Sequence, residues 1–122
     1  MMNIETALKE TMTIDGAVGA ALVDYESGMC LGTIGGGREL DLEVAAAGNT
    51  DVVRAKVRTL AALNINDSVE DILITLARQY HIIRLLSDSA GHTFLYLVLD
   101  RDRANLALAR HHLRRIEAAL TV

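Results

Sequence analysis

The segment from Val69 to Leu99 constrains the fold of this chain more than any other feature. It predicts three consecutive strands joined by two short turns: Val69–Leu76, Tyr80–Leu86 and Thr93–Leu99, with turns at Ala77–Gln79 and Asp88–His92. The last strand holds six apolar residues in succession, Phe94–Leu99. A sheet with one solvated face would alternate apolar and polar residues instead. The sheet therefore needs cover on both of its faces.

The first third of the chain predicts a helix followed by a β-hairpin. Ile4, Leu8 and Met12 follow one another at helical spacing, which predicts a helix over Ile4–Met12 with Asn3 as its N-cap. The strands of the hairpin are expected at Ala17–Val23 and Met29–Ile34, around a turn that contains Gly28.

A long helix is predicted next, over about Glu39–Leu63. At 1.5 Å per residue it would be about 35 Å long, whereas a strand of this sheet spans about 26 Å. The helix should therefore extend past the sheet or break. Its expected weak point is Gly48–Asp51, because glycine is a poor helix former and Asn, Thr and Asp favour caps.

The terminal helix is predicted over Arg103–Leu120, with Asp100 or Asp102 as its N-cap. An apolar stripe at 3–4 spacing runs along it, formed by Leu106, Ala109, Leu113, Ile116 and Leu120. The element order is thus α-β-β-α-β-β-β-α. The hairpin and the three-strand meander indicate a five-stranded antiparallel sheet in a three-layer α/β/α domain. We expect the first and last helices on one face and the long middle helix on the other.

The predicted strand Val69–Leu76 should lie at one edge of the sheet. Edge strands are normally protected by charges, proline or bulges, but Ile72–Leu76 is apolar and carries no such protection. Pairing with a second copy across a twofold axis would cover it. We therefore predict a homodimer whose sheet continues across the interface; a loop or the extended helix covering the edge is the alternative.

Composition narrows the classes of function. The net charge is −4 at pH 7, which disfavours non-specific binding of nucleic acid. No apolar run approaches the length of a membrane span, and charges interrupt the first residues, so we expect neither a membrane anchor nor a signal peptide. The single cysteine is typical of a reducing compartment, and we expect a cytoplasmic protein.

The chain offers little catalytic or ligand-binding chemistry. Gly32–Gly37 lacks the lysine and hydroxyl residue of a phosphate loop. His111 and His112 are adjacent, so they diverge on a helix rather than converge on a metal. Cys30 lies in an apolar strand, where a lone cysteine is usually a small core residue. We predict no catalytic residues, no metal and no cofactor.

The sequence resembles the roadblock/dynein light chain family over nearly its whole length. The resemblance is carried by Ile14–Asp24 with the turn Glu26–Gly28, by the three-strand segment, and by Asp100–Arg115. The last of these is similar to the entry into the final helix in bacterial members. The resemblance implies one roadblock-type, profilin-like domain over residues 1–122.

The family resemblance also implies a non-catalytic homodimer that regulates or scaffolds a small Ras-like GTPase. In such dimers the third strands pair and the middle helices lie side by side. The implied dimer interface comprises Glu70, Ile72, Leu73, Ile74, Thr75, Leu76, Val52, Lys56 and Thr59. The middle helices would offer a docking surface that includes Arg54 and Arg58.

Two other functions are left open. A small-molecule sensor of PAS-like architecture would need convergent polar groups in an interior pocket, for which Thr75, Arg84 and Tyr96 are the main candidates. A nucleotide hydrolase is less favoured, because the phosphate loop is missing.

Overall fold

The computed structural model describes residues 1–86 and 92–120. The predicted element order is confirmed, with three helices and five strands. In chain order they are α1 (Ile4–Met12), β1 (Ala17–Asp24), β2 (Met29–Gly35), α2 (Leu42–Ala62), β3 (Asp71–Thr75), β4 (Gln79–Leu85), β5 (Thr93–Asp100) and α3 (Leu106–Ala119). The predicted turn at Asp88–His92 lies outside the described residues except for His92.

The five strands form one antiparallel sheet in the order β2-β1-β5-β4-β3. β5 lies at the centre, and all seven residues from Thr93 to Leu99 are buried. β2 and β3 are the edges, so the predicted edge position of the third strand is confirmed. β3 is shorter than the predicted Val69–Leu76 and pairs with β4 through five residues without a bulge.

Both faces of the sheet are covered, as the central strand required. On one face α1 and α3 pack together, and Leu8 and Leu113 join Leu97 of β5 in a single core cluster. On the other face α2 places Ala46 and Val53 against a second cluster around Tyr96. The main contacts of α1 and α2 with the sheet are made with β1 and β2, at the side away from β3.

The middle helix is continuous through its predicted weak point. Asn49 and Thr50 lie on the buried face of the helix, and the Thr50 hydroxyl donates to the Ala46 carbonyl at 2.7 Å. The Thr50 hydroxyl is thus satisfied within the helix, which is unbroken, and α2 runs for 21 residues, about 31 Å. It begins at Leu42 rather than Glu39, because the Asp41 carboxylate accepts from the backbone N–H groups of Glu43 and Val44.

The last helix begins three residues later than predicted, and its N-cap is different. Asn105 accepts from the Leu108 N–H at 3.0 Å, so neither Asp100 nor Asp102 caps α3. Asp100 still belongs to β5, where its N–H donates to the Gly16 carbonyl. Its carboxylate instead accepts from the Asp102 N–H within a turn. Strand pairing therefore extends the sheet into the segment that capping preferences alone assign to the helix.

Candidate interaction surface

Within residues 1–86 and 92–120, no strand pairs with the outer side of β3. The Leu76 N–H donates to the Gln79 carbonyl, and the Leu85 N–H donates to the Glu70 carbonyl. Hydrogen-bonded residues alternate along an antiparallel strand, so the even-numbered residues of β3 bond to β4. The backbone groups of Asp71, Leu73 and Thr75 consequently point away from the sheet, where another strand could bond to them.

The opposite edge is built differently. β2 is bulged, because Leu22 pairs with Gly32 whereas Val23 pairs with Cys30, which leaves Leu31 without an opposite residue. Bulges and glycines bend an edge strand and disfavour pairing with a further strand. Of the two edges, β3 is therefore the one suited to extension of the sheet.

A mostly apolar groove of about 600 Å³ lies between the unprotected edge and α2. It brings together four of the residues implied for the dimer interface, Val52, Lys56, Thr59 and Ile72. Ala55, Val69 and Asp71 complete its lining. The groove exists because α2 packs mainly on β1 and β2, so that β3 lies beside the helix rather than beneath it.

The remaining implied interface residues flank this groove or lie behind it. Glu70, Thr75 and Leu76 are exposed, and Ile74 is half-buried. Leu73 is also half-buried, but its side chain packs toward the α1 and α3 core rather than toward the groove. β3 therefore contributes apolar side chains to both faces of the sheet at its open edge.

The two implied docking arginines have different surroundings. Arg58 is exposed on the outer surface of α2. Arg54 is half-buried and donates from Nε to the Tyr25 carbonyl at 2.7 Å and from Nη2 to the Glu26 carbonyl. Arg54 thus ties α2 to the turn between β1 and β2, whereas Arg58 is available to a partner.

A buried ionic cluster was not predicted from the sequence. Arg84 donates from Nε to Glu117 of α3 at 2.8 Å and lies 3.8 Å from Asp71, at the start of β3. Arg110 of α3 contacts the other Asp71 oxygen at 3.0 Å. The side chains of Arg84, Glu117 and Asp71 are 10%, 12% and 15% exposed. The available signal was an arginine between Ile83 and Leu85 of β4. Its partners, 13 residues before it and 33 after it, were not evident.

A second polar chain lies on the α2 side of the sheet. His81 Nε2 is 2.9 Å from the Gln79 amide oxygen, and His81 Nδ1 is 3.0 Å from the Tyr96 hydroxyl. The amide oxygen can only accept, so Nε2 carries the proton and Nδ1 accepts from Tyr96. Burial lowers the pKa of His81 and raises the pKa of Tyr96.

The depressed pKa of His81 predicts a pH-dependent contribution to stability. The His81 imidazole binds its second proton more tightly in the unfolded chain than in the folded chain. The free energy of unfolding should therefore fall as pH decreases through the ordinary histidine range. A His81→Gln variant should lose that part of the pH dependence. Denaturant unfolding between pH 8 and pH 5 checks this prediction. The free energies of unfolding of the two proteins should change in parallel above pH 7.5 and diverge below it. Parallel curves over the whole range would contradict the contribution assigned to His81.

The residues considered for a sensor pocket do not converge. Arg84 lies on the α3 side of the sheet and Tyr96 on the α2 side. A cleft of about 860 Å³ beside the end of α2 includes Arg84 and Glu117, but neither Thr75 nor Tyr96 lines it. The three residues predicted for a sensor pocket therefore do not share a cavity.

The other weak candidates also lack an arrangement suited to chemistry. Burial raises the pKa of the Cys30 thiol, which disfavours the reactive thiolate. The N-terminus of α2, which follows the glycine-rich segment, is already occupied by the Asp41 carboxylate. Within residues 1–86 and 92–120, no cluster of three or more His, Cys, Asp or Glu side chains could hold a metal ion. In the same part of the chain, no helix is long and apolar enough to cross a bilayer.

Comparison with solved structures identifies similar folds. A Roadblock/LC7 domain from Streptomyces avermitilis superposes with a TM-score of 0.81 at 10% identity, covering 97% of this chain and 94% of that one. The gliding protein MglB from Thermus thermophilus gives 0.74 at 22% identity, over 93% and 82% of the two chains. An MglB with a tetrameric arrangement gives 0.78 at 23% identity, over 94% and 82%. No family profile matches the sequence, and no curated protein is similar to it in sequence.

Proposed function

We propose that this chain, which has the roadblock fold, is a homodimeric, non-catalytic regulator or scaffold that binds a small Ras-like GTPase. Residues 1–122 would form its single roadblock-type domain, acting in the cytoplasm. The observation that carries the proposal is the open β3 edge beside an apolar groove, which together form a surface suited to a second copy of the chain.

Self-association is supported by the distribution of apolar surface. Ile72 and Ile74 are half-buried on the α2 face of the sheet, at the β3 edge that α2 does not cover. A second copy paired through β3 would place its own α2 beside the first, and the two helices would cover this face. One similar protein, an MglB, has a tetrameric arrangement, which is consistent with self-association of this fold.

The binding of a GTPase is proposed for the outer surface of the paired helices. That surface presents Arg58, while Arg54 fixes the adjacent β1–β2 turn through two carbonyl contacts. A dimer would present the surface twice, with twofold symmetry. The raised pKa of Cys30 and the occupied N-terminus of α2 support recognition rather than catalysis by this chain.

We expect charge reversal at Arg58 to weaken GTPase binding selectively. Arg58→Glu replaces an exposed cation on the proposed docking surface and should weaken the complex about 10-fold or more, as loss of a charged interface contact does. Binding would be measured with small Ras-like GTPases from the same genome, loaded with GDP or a non-hydrolysable GTP analogue, by pull-down and then by calorimetry.

The matched control is Arg115→Glu, an exposed arginine of α3 on the opposite side of the sheet. It should bind as the native chain does. If no GTPase associates in either nucleotide state, the proposed function is wrong. Equal losses in both variants would mean that net charge matters and the docking surface does not.

A further inference from the structure

We propose that the cleft beside the end of α2 binds a small organic cation, in which a protonated amine is attached to an apolar or aromatic body. The cleft has a volume of about 860 Å³, and small-molecule sites commonly measure about 300–1,000 Å³. The lining residues used below all belong to one copy of the chain. The proposal therefore goes beyond the proposed function and requires neither a dimer nor a GTPase.

The cleft is separate from the groove beside β3. On α2 it is lined by Val57, Leu60 and Ala61. The groove is lined by other residues of the helix, namely Val52, Ala55, Lys56 and Thr59. With 3.6 residues per turn, the two sets lie about 140° apart around the helix axis. A second copy that covers the groove would therefore leave the cleft side of α2 accessible.

The end of α2 gives the cleft an apolar wall. Asn64 has a left-handed backbone conformation, with φ of 56°. Its N–H donates to the Ala61 carbonyl at 3.1 Å, and the Ile65 N–H donates to the Leu60 carbonyl at 3.0 Å. These two bonds form a Schellman motif, which commonly brings the residue after the turn against the last turns of the helix. Leu60 and Ile65 accordingly line the cleft together with Val57.

This apolar wall stays in contact with solvent. Val57 is 41% exposed and Ile65 is 46% exposed. The sheet adds Leu85, the last residue of β4, and the following Leu86 to the same cleft. The apolar body of a ligand placed among these side chains would remove part of their surface from water, which favours binding.

Two aromatic rings form another part of the lining. Tyr25 and His92 both line the cleft, and their ring centroids are 5.3 Å apart. The Tyr25 N–H donates to the His92 carbonyl at 2.8 Å, and Arg54 of α2 donates from Nε to the Tyr25 carbonyl at 2.7 Å. Tyr25 is thereby held in place before a ligand binds, which lowers the cost of ordering the site. Its ring can attract an ammonium group.

Two carboxylates that line the cleft are available to such an ammonium group. Asp67 and Glu70 are both exposed at the cleft. Within residues 1–86 and 92–120 neither forms an ion pair, although the Asp67 carboxylate accepts from the Ser68 N–H at 2.7 Å. Hydrogen bonds between an ammonium group and a carboxylate are about twice as strong as those between neutral groups.

The cationic side chains of the lining are already engaged. Among the described residues these are Arg84 and, when protonated, His92. Arg84 donates from Nε to Glu117 at 2.8 Å and lies 3.8 Å from Asp71. His92 Nε2 lies 3.7 Å from a Glu26 carboxylate oxygen. An anionic ligand would have to displace these carboxylates, whereas an ammonium group meets two that lack an ion pair. The lining therefore selects a cation.

A matched pair of indole compounds tests the proposal on the native chain at pH 7. Tryptamine carries an ammonium group on a two-carbon chain from the indole ring, and indole-3-propionate carries a carboxylate on the same chain. Tryptamine should bind with a dissociation constant of about 1 mM or lower, and indole-3-propionate at least about 10-fold more weakly. Two-dimensional NMR titration of the isotope-labelled chain would measure both constants. The amide shifts should concentrate around Tyr25, Leu60 and Ile65.

Removal of the two carboxylates at nearly constant shape tests the recognition of charge. Asp67→Asn with Glu70→Gln should weaken tryptamine binding about 5- to 10-fold, a limited loss because both groups are exposed and partly screened. The matched control is Glu10→Gln with Glu39→Gln, which removes the same charge from exposed positions outside the cleft. It should leave the constant within about 2-fold of the native value. Ile65→Ser should also weaken binding, because it removes part of the apolar wall.

The outcomes separate this inference from the proposed function. Equal affinity for the two compounds, or a cleft carboxylate variant that binds tryptamine as the native chain does, would overturn the recognition of a cation. Shifts located away from the cleft, or no saturable shift up to the solubility of tryptamine, would overturn the site. Circular dichroism would verify that each variant is folded. Because no GTPase is present in these titrations, failure of the proposed function would produce none of these results.

Discussion

Arg84→Ala is expected to lower the free energy of unfolding by about 3–5 kcal/mol, the effect of removing one member of a buried ion pair. The loss leaves the Glu117 carboxylate, 12% exposed in the folded chain, without its contact to the Arg84 Nε at 2.8 Å. A domain of this size has about 5–15 kcal/mol of total stability. The variant should therefore be close to unfolded at moderate temperature.

Urea unfolding at fixed protein concentration would measure this change, because the proposed dimerisation would make apparent stability depend on concentration. The matched control is Arg103→Ala, which removes an exposed ion pair with Asp100 and should cost less than about 1 kcal/mol. Equal small losses in both variants would show that the Arg84 cluster contributes no more than a surface ion pair.

Ile74→Lys is expected to convert the proposed dimer into a monomer while leaving the fold intact. Ile74 is half-buried at the open edge and belongs to neither core cluster, so the isolated domain tolerates a long side chain there. In the dimer the same change would bury two ammonium groups against isoleucines, and lysine is a residue by which natural edge strands avoid pairing. The dissociation constant should rise more than about 100-fold.

Light scattering after gel filtration at micromolar concentration would report the oligomeric state. Leu31→Lys introduces the same side chain on the bulged edge strand β2 and should leave the dimer unchanged. A dimer that persists in Ile74→Lys would contradict pairing through β3. If the variant also fails to bind a GTPase that the native chain binds, the docking surface requires both copies.

The secondary structure was predictable wherever a local pattern and the final packing agreed. The run Phe94–Leu99 predicted a strand covered on both faces, and it is the centre of the sheet. The order of elements and the edge position of β3 followed from hairpin connectivity alone. The boundaries were wrong where long-range pairing competes with capping, as at Asp100, whose N–H bonds to Gly16 and thereby delays α3 until Asn105 takes the capping role.

The candidate surface could be predicted only in part. The unprotected sequence of β3 and the family resemblance indicated the strand and the middle helix, and the structure places Val52, Lys56, Thr59 and Ile72 around one groove. It also shows that Arg54 is engaged with the β1–β2 turn. That contact joins residues nearly 30 positions apart, and no helical periodicity could indicate it.

The amino-acid sequence by itself determined the layers and the exposed edge, because burial patterns and short connections are local properties of the chain. The tertiary structure alone decided which polar groups are satisfied and where the sheet stays uncovered. Arg84 could be identified as a charge between two apolar residues of β4, but Asp71 and Glu117 become its partners only when β3, β4 and α3 come together. The groove beside β3 likewise depends on α2 packing toward β1 and β2. Both outcomes depend on how the elements pack against one another, which the local pattern of residues does not specify.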